Sequence, residues 1–398
     1  MPYFKHLIIG AGMTGDAAVK GIREVDPSGS IGLVGDEPDQ PYDRPPLSKA
    51  LWKGAPLESI WRKTEAQGVE LLLGRRIVSL DATARRATDD RGVGYTFDNL
   101  LLATGGAPRR LPFGGDHIVY FRTLADYRRL RALAERGRRI AVIGGGFIGG
   151  EIAAGLAMNA CDVTVVFPEE ALGSRVFPSE LALFLNGLFE EKGVRVLAKH
   201  GVVGVTPRGE RLAVELRPID GGAPSEILVD GVVAGIGIQP NVELARSAGL
   251  EVDDGILVDE LLRTSHPDIL AAGDVASFVS PALGTRIRVE HEDNANAMGR
   301  AAGRAMAGAG EPYHHLPFFY SDLFELGYEA VGQLDPRFEV VAHWKTPNRE
   351  GILYYVQGGQ VRGLLLWNVW GQVDAARRLI AEPGPFRAAD LEGRLPAP

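Results

Sequence analysis

A chain of 398 residues is longer than a single hydrophobic core supports, so two or three domains are expected. Its formal charge of −8 speaks against a general affinity for nucleic acid or an anionic membrane surface, and its apolar residues form no run long enough to span a bilayer. A single cysteine, Cys161, excludes an internal disulfide, a CxxC redox pair and a thiolate metal cluster.

The start, MPYFKHLIIGAG, enters a core strand at once and shows no signal-peptide pattern, so the expected location is the cytoplasm. Residues Lys5 to Ile9 form a short apolar strand. The turn Gly10-Ala11-Gly12-Met13-Thr14-Gly15 follows, then a helix to about Glu24. A second strand, IGLVG, ends in Asp36, 21 residues after Gly15. This is the dinucleotide fingerprint: the first glycine makes the tight turn and the second lets the backbone approach a pyrophosphate. The third lets helix and strand pack closely, and the acid accepts from ribose hydroxyls. The helix start adds unpaired N–H donors and a positive dipole end. LLATGGAPRRLP, with Thr104 and Gly105, then closes a first half in a small-residue turn.

The fingerprint returns as IAVIG-Gly144-Gly145-Gly146-Phe147-Ile148-Gly149, with Glu151 in the helix that follows. The strand DVTVVF leads to Glu169, 20 residues after Gly149. Cys161, at the mouth of that strand, reads as a small buried side chain. AGIGIQPN, containing Gly237, repeats the closing turn, and ILAAGDVASF places Asp274 at a strand end, where it can accept from the ribityl chain of a flavin. Two turns imply two dinucleotides, and the natural pair for hydride transfer is nicotinamide and flavin. The order is first half, inserted second half, return to the first half. Flavin then belongs to the outer domain, residues 1–111 and 236–312, and nicotinamide to the insert, 112–235. Glu169 would bind an adenosine ribose and repel a 2′-phosphate, which favours NADH over NADPH.

From 313 to 398 the pattern changes to strands: YEAVGQL, FEVVAHWK, ILYYVQ and VRGLLLWNVW, with Gly358-Gly359 as a hairpin turn and VDAARRLIAE as a closing helix. His314 and His315 lack acid or cysteine partners in their motif and read as loop residues, so no metal is expected. The expected fold class is α/β: two Rossmann-like domains, the second inserted in the first, plus a C-terminal α+β domain.

Together these stretches resemble the glutathione-reductase-like superfamily of flavoproteins. QPYDRPPLSK and VEHEDNANAMG resemble the ferredoxin reductase family that lacks a redox disulfide. VFPEEALGSRVFPSE, FFYSDLFELGYEAVG and GLLLWNVWGQVDAARRLI are similar to the apoptosis-inducing factor branch. The disulfide relay of related reductases would fall in RPPLSKALW, which has no cysteine, so electrons must pass directly to an outside acceptor. The resemblance implies that Asp36, Glu37, Arg44, Val78 and Arg122 contact FAD. It places Lys49 beside flavin N5, where a cation favours negative charge on the reduced ring. Glu151 would meet both Lys49 and the nicotinamide carboxamide, and Phe147 would shield the flavin and move when nicotinamide stacks.

Glu290 and His291 begin a helix rich in alanine and glycine, running to about Ala307, whose positive end would face the flavin N1–C2=O edge. Tyr320 stands where both branches place a tryptophan. Arg175 matches a lysine that contacts NAD, and Glu329 and Asn368 match further nicotinamide-nucleotide contacts. The implied activity is an FAD-containing NADH dehydrogenase moving hydride from nicotinamide C4 to flavin N5. The acceptor is left open between a ferredoxin-type iron–sulfur protein and a quinone, and the excess of acid gives no encouragement to ferredoxin docking. The alternative is a redox-gated interaction protein of the apoptosis-inducing factor type, whose assembly state changes with NADH. Dimer contacts would come from the C-terminal domain.

Overall fold

The structure, a computed structural model, describes residues 1–395. The chain forms two compact units. One comprises residues 1–44, 58–107 and 239–318; the other comprises 45–57, 108–238 and 319–398.

In the first unit the strands Glu70–Leu72, Ile31–Val34, Tyr3–Ile9, Gly94–Leu102 and Ile269–Ala271 run parallel, in that order. Their apolar runs, such as Leu7 to Ile9 and Leu100 to Leu102, are buried, as expected for parallel strands covered on both faces. An antiparallel hairpin, Ile77–Asp81 and Arg86–Asp89, extends the sheet beside the N-terminal half of Gly94–Leu102. The helix Met13–Arg23 lies backbone to backbone against Glu292–Met306. A Cβ at Gly303 would stand 2.1 Å from the Ala18 carbonyl oxygen, and one at Gly21 equally close to that of Arg300. The small residues of the second helix therefore serve this contact.

The second unit holds another parallel sheet, ordered Arg195–Leu197, Asp162–Val166, Arg139–Ile143, Gly231–Ala234, Ile118–Tyr120. A three-stranded antiparallel sheet, His200–Arg208, Arg211–Pro218 and Ser225–Val229, is inserted in it. The C-terminal sheet is antiparallel and five-stranded, ordered Phe318–Leu323, Leu326–Gly332, Gln360–Trp367, Glu350–Gln357, Glu339–Thr346. The sequence reading missed the first of these strands and found the Gly358-Gly359 hairpin. Phe177 packs edge-on against Tyr328 and Trp367, and Phe189 against Phe324. Aromatic contacts thus join the C-terminal sheet to the inserted nucleotide fold within the second unit.

Cys161 is half-buried rather than buried, because it sits at the strand mouth with its thiol near the Glu135 carbonyl. Partial burial raises its pKa.

Candidate active site

In the first unit Gly10 adopts φ +121°, and its Cβ would lie 2.0 Å from the Ala103 carbonyl oxygen. A Cβ on Gly15 would fall 2.1 Å from the Gly10 oxygen. Both glycines are therefore demanded by the fold. Gly12 is different: φ is −88°, which any residue adopts, and a Cβ there would meet nothing within 4 Å. Its missing side chain leaves a cradle open at a helix start that has no side-chain cap, which suits the close approach of a pyrophosphate.

Other sequence-picked residues gather at this helix start. Met13 and Thr14 are buried, and the Arg44 amide donates to the Met13 sulfur at 3.3 Å. Gly273, at φ +77°, rests on Thr14, so Asp274 sits beside the turn. Thr104 and Asn241 clamp each other: Oγ1 of Thr104 donates to the Asn241 carbonyl and Nδ2 of Asn241 to the Thr104 carbonyl, at 2.9 and 2.8 Å. Gly105 follows in the left-handed region. Glu37 accepts from the Tyr42 hydroxyl at 2.6 Å and from Arg44 at 2.7 Å, whereas Asp36 is exposed.

His291 caps the helix Glu292–Met306. Burial pushes its pKa down to about 4, against the pull of the Asp274 and Asp293 carboxylates. Glu290 is exposed and bound by Arg288, which also donates to the Asp274 carbonyl. Sequence reasoning missed Arg288, whose only signal was its place two residues before the motif acid. Val78 is half exposed on its strand.

The second unit repeats the cradle. Gly144 has φ +119° with a Cβ that would lie 2.4 Å from the Gly235 oxygen, and Gly149 would press on the Gly144 oxygen at 2.0 Å. Gly146 again faces open space, while Gly145 touches the Phe167 ring. Ile148 is exposed. Phe147 begins the helix Phe147–Met158 with its ring 4.9 Å from Phe319 and 6.3 Å from Tyr328.

Glu151, 3% exposed, lies one turn into that helix. Its carboxylate is held by Lys49 at 2.8 Å, by the Ser48 hydroxyl at 2.6 Å and by the Ser321 hydroxyl at 2.6 Å. A buried carboxylate with one donor would be costly; with three it is satisfied. The turn Pro45–Leu47 presents Ser48 and Lys49: their amides donate back to Pro45 and Pro46, and proline fixes φ before them. Lys49 also lies 5.1 Å from the centre of the Tyr320 ring, so the three residues picked from sequence meet. Nearby, burial and the Glu151 charge hold the Tyr328 hydroxyl pKa well above its ordinary value. Gly145, Gly146, Phe147, Ser321 and Tyr328 line one cavity at this helix start.

The remaining residues stand further along the fold. Glu169 pairs with Arg175, whose side chain is 82% exposed. Gly237, at φ +88°, accepts the Arg109 amide. The Arg122 amide donates to Asp126 at the capped start of Leu124–Leu133. Glu329 accepts the Gly371 amide, and burial raises its pKa. Asn368 is left-handed and donates to the Gly327 carbonyl. Both of the last two thus have local structural partners. His315 bonds to Asp293, and among the described residues no cluster of metal-ligating side chains occurs.

Residues 4–299 match the family model described as pyridine nucleotide-disulphide oxidoreductase, and residues 302–350 match the C-terminal model of mitochondrion-associated apoptosis-inducing factor. The chain is 35% identical to the ferredoxin–NAD(+) reductase component of the anthranilate 1,2-dioxygenase system of Burkholderia cepacia, over 96% of each. It is 32% identical to mitochondrial apoptosis-inducing factor 1 of Dictyostelium discoideum, over 95% of this chain and 78% of that one. Among solved structures, the putidaredoxin reductase–putidaredoxin covalent complex superposes with a TM-score of 0.88 at 31% identity, covering 95% of this chain and 93% of that one.

Proposed function

Because the chain belongs to the pyridine nucleotide-disulphide oxidoreductase family, we propose that it is an FAD-containing NADH dehydrogenase that delivers electrons to a ferredoxin-type iron–sulfur protein. The relatives named as ferredoxin reductases and the solved reductase–putidaredoxin complex support this acceptor. The observation that carries the reading is the buried Lys49–Glu151 pair at the second glycine turn. A flavin held there would supply an acceptor for the hydride of nicotinamide C4 and a carrier able to release electrons singly or as a pair.

The chain's own residues set the geometry. The cradle at Gly10, Gly12 and Gly15, with Glu37, Arg44, Thr104, Asp274 and His291, would hold FAD. The cradle at Gly144, Gly146 and Gly149, with Glu169, would hold NADH. Glu151 fixes Lys49 in place, and the Ser48 and Ser321 hydroxyls hold the carboxylate, which would meet the nicotinamide carboxamide. Phe147 and Tyr320 would exclude water from the bound rings. Glu169 carries the preference for NADH over NADPH. The domain limits would be 1–111 with 236–312, 112–235 and 313–398, with the C-terminal domain contributing dimer contacts.

No helix among the described residues is long and apolar enough to cross a membrane. A cytoplasmic site fits this reading, and a quinone would be the rival acceptor. The match of residues 302–350 to the apoptosis-inducing factor C-terminal model favours a second reading, in which NADH changes the assembly state and turnover is slow. Steady-state assays with NADH and a panel of ferredoxin and quinone acceptors test both. Rapid ferredoxin turnover supports the dehydrogenase; slow turnover with every acceptor, plus a sedimentation shift on adding NADH, supports the second reading.

A further inference from the structure

Tyr328, 1% exposed, is a buried titratable group beside the helix start that carries Glu151. Its ring is clamped on several sides. It stacks on Trp367 at 5.6 Å with an interplanar angle of 12°, and Phe177, Phe319 and Phe147 close around it at 5.3, 6.0 and 6.3 Å. A phenylalanine would fill this packing equally well and spare the burial of a hydroxyl, which is costly unless the oxygen finds a partner. That partner is Ser321, which hydrogen-bonds the Tyr328 hydroxyl. The two residues lie on the strands Phe318–Leu323 and Leu326–Gly332, joined by the short turn Phe324-Glu325.

Counting protons gives this chain of hydroxyls a direction. A carboxylate only accepts and an ammonium only donates, whereas a serine has one proton to give. The Ser321 proton is committed to Glu151 Oε1 at 2.6 Å and the Ser48 proton to Oε2 at 2.6 Å. The Ser321 oxygen therefore accepts, and Tyr328 donates. Burial keeps that phenolic proton in place, since it holds the Tyr328 pKa well above its ordinary value. Lys49 approaches the same carboxylate oxygen as Ser321, Oε1, at 2.8 Å. Ser321 thus sets the rotation of the carboxylate that faces Lys49, and the clamped phenol sets Ser321. A lone serine hydroxyl rotates freely; between a fixed donor and a fixed acceptor it holds one orientation.

We propose that Tyr328 is a positioning residue of the NADH site: through Ser321, its hydroxyl fixes the orientation of Glu151 and with it the place of Lys49. The inference rests on the NADH dehydrogenase reading above. Tyr328 has no need to touch the dinucleotide. Its effect falls on the alignment of the groups around the reacting atoms, so it is felt in the rate of hydride transfer more than in the affinity for NADH. A ring that served the core of the C-terminal sheet alone would leave the hydroxyl dispensable.

The test compares wild-type holoenzyme with Tyr328→Phe, Ser321→Ala and the double variant. Tyr328→Phe keeps the packed ring and removes one oxygen. In anaerobic stopped flow, the limiting rate of flavin bleaching by NADH should fall about tenfold in Tyr328→Phe and about thirtyfold in Ser321→Ala, with the half-saturating NADH concentration moved less than about threefold. The double variant should match Ser321→Ala within about twofold, because the phenol acts only through the serine. Acetic anhydride labelling of the oxidised holoenzyme, read by peptide mass spectrometry, adds a measurement that needs no turnover. Lys49, whose side chain is 11% exposed, should label about fivefold faster in Ser321→Ala and about threefold faster in Tyr328→Phe, against the exposed Lys345 as internal standard. Wild-type bleaching and labelling in Tyr328→Phe, or rate losses that multiply in the double variant, would overturn the proposal. A wild-type protein that NADH leaves unbleached would instead remove the dehydrogenase reading, and the labelling would still decide whether Tyr328 acts on Lys49 through Ser321 and Glu151.

Discussion

At the first glycine turn Gly10 has φ +121° and Gly12 has φ −88° and ψ −166°; at the second, Gly144 has φ +119° and Gly146 has φ −85° and ψ −169°. The backbones match, yet the acids that follow are used differently. Asp16, fully buried, is consumed within its own unit by Arg62 at 2.6 Å, Lys20 at 2.7 Å and Thr64 at 2.6 Å. Glu151 instead holds Lys49 beside an aromatic-lined cavity. The strand-end acids differ as well. Glu37 is bound by the buried Tyr42 and the partly buried Arg44, whereas the side-chain partner of Glu169 among the described residues is the exposed Arg175, a kind of pair worth about 0–1 kcal/mol. On the proposed reading, the first turn would keep its ligand and the second would exchange it.

The largest expected effect comes from the third glycines. Gly15→Ala, with its Cβ against the Gly10 oxygen, should yield protein without yellow colour. Gly149→Ala should stay yellow but be reduced by NADH at least about 100-fold more slowly, as read by absorbance and stopped flow. Reversal of the two phenotypes would break the comparison.

Glu151→Ala strips Lys49, Ser48 and Ser321 of their shared partner. Without its anchor Lys49 would no longer be held in place, and loss of a positioned electrostatic group costs about 100- to 1,000-fold, so kcat/KM for NADH should fall at least about 100-fold with the flavin retained. Glu151→Gln should fall less, since the amide keeps one acceptor oxygen.

A smaller effect belongs to the first unit and to pH. His291 titrates near 6.5 when unfolded and about 4 when folded. Between those values the unfolded chain binds the extra proton, so stability is lost as pH falls from about 6.5 toward 4. Thermal unfolding across that window should show His291→Asn with a shallower fall than wild type; parallel curves would place the proton uptake elsewhere. Smallest of all, Arg175→Ala should move the NADH KM less than about fivefold, since its pair with Glu169 is solvent-exposed. A larger loss would show that the second turn is as tightly consolidated as the first.

What could be read from the chain was local. Glycine spacing, apolar runs and the two-glycine hairpin each lie within a few residues of the contacts they make. Glu151 was legible as an acid beyond a glycine turn, but its serine partners lie 103 and 170 residues away, and a serine carries no signal of its own. Phe318–Leu323 escaped notice because Ser321 and Asp322 break its apolar pattern, although Ser321 is buried to reach Glu151. Segment 45–57 groups with the second unit for a related reason. The contacts that tie Ser48, Lys49 and Trp52 to that unit, to Glu151 and Tyr127, are long-range.

The claim on which the account rests is that the first cradle keeps a flavin and the second admits NADH beside Lys49 and Glu151. An anaerobic titration of the purified protein at 450 nm tests it directly. The account predicts one FAD retained per chain, bleached completely by one equivalent of NADH and poorly by NADPH. A correctly folded, colourless protein, or a yellow one that NADH leaves unbleached, would contradict it.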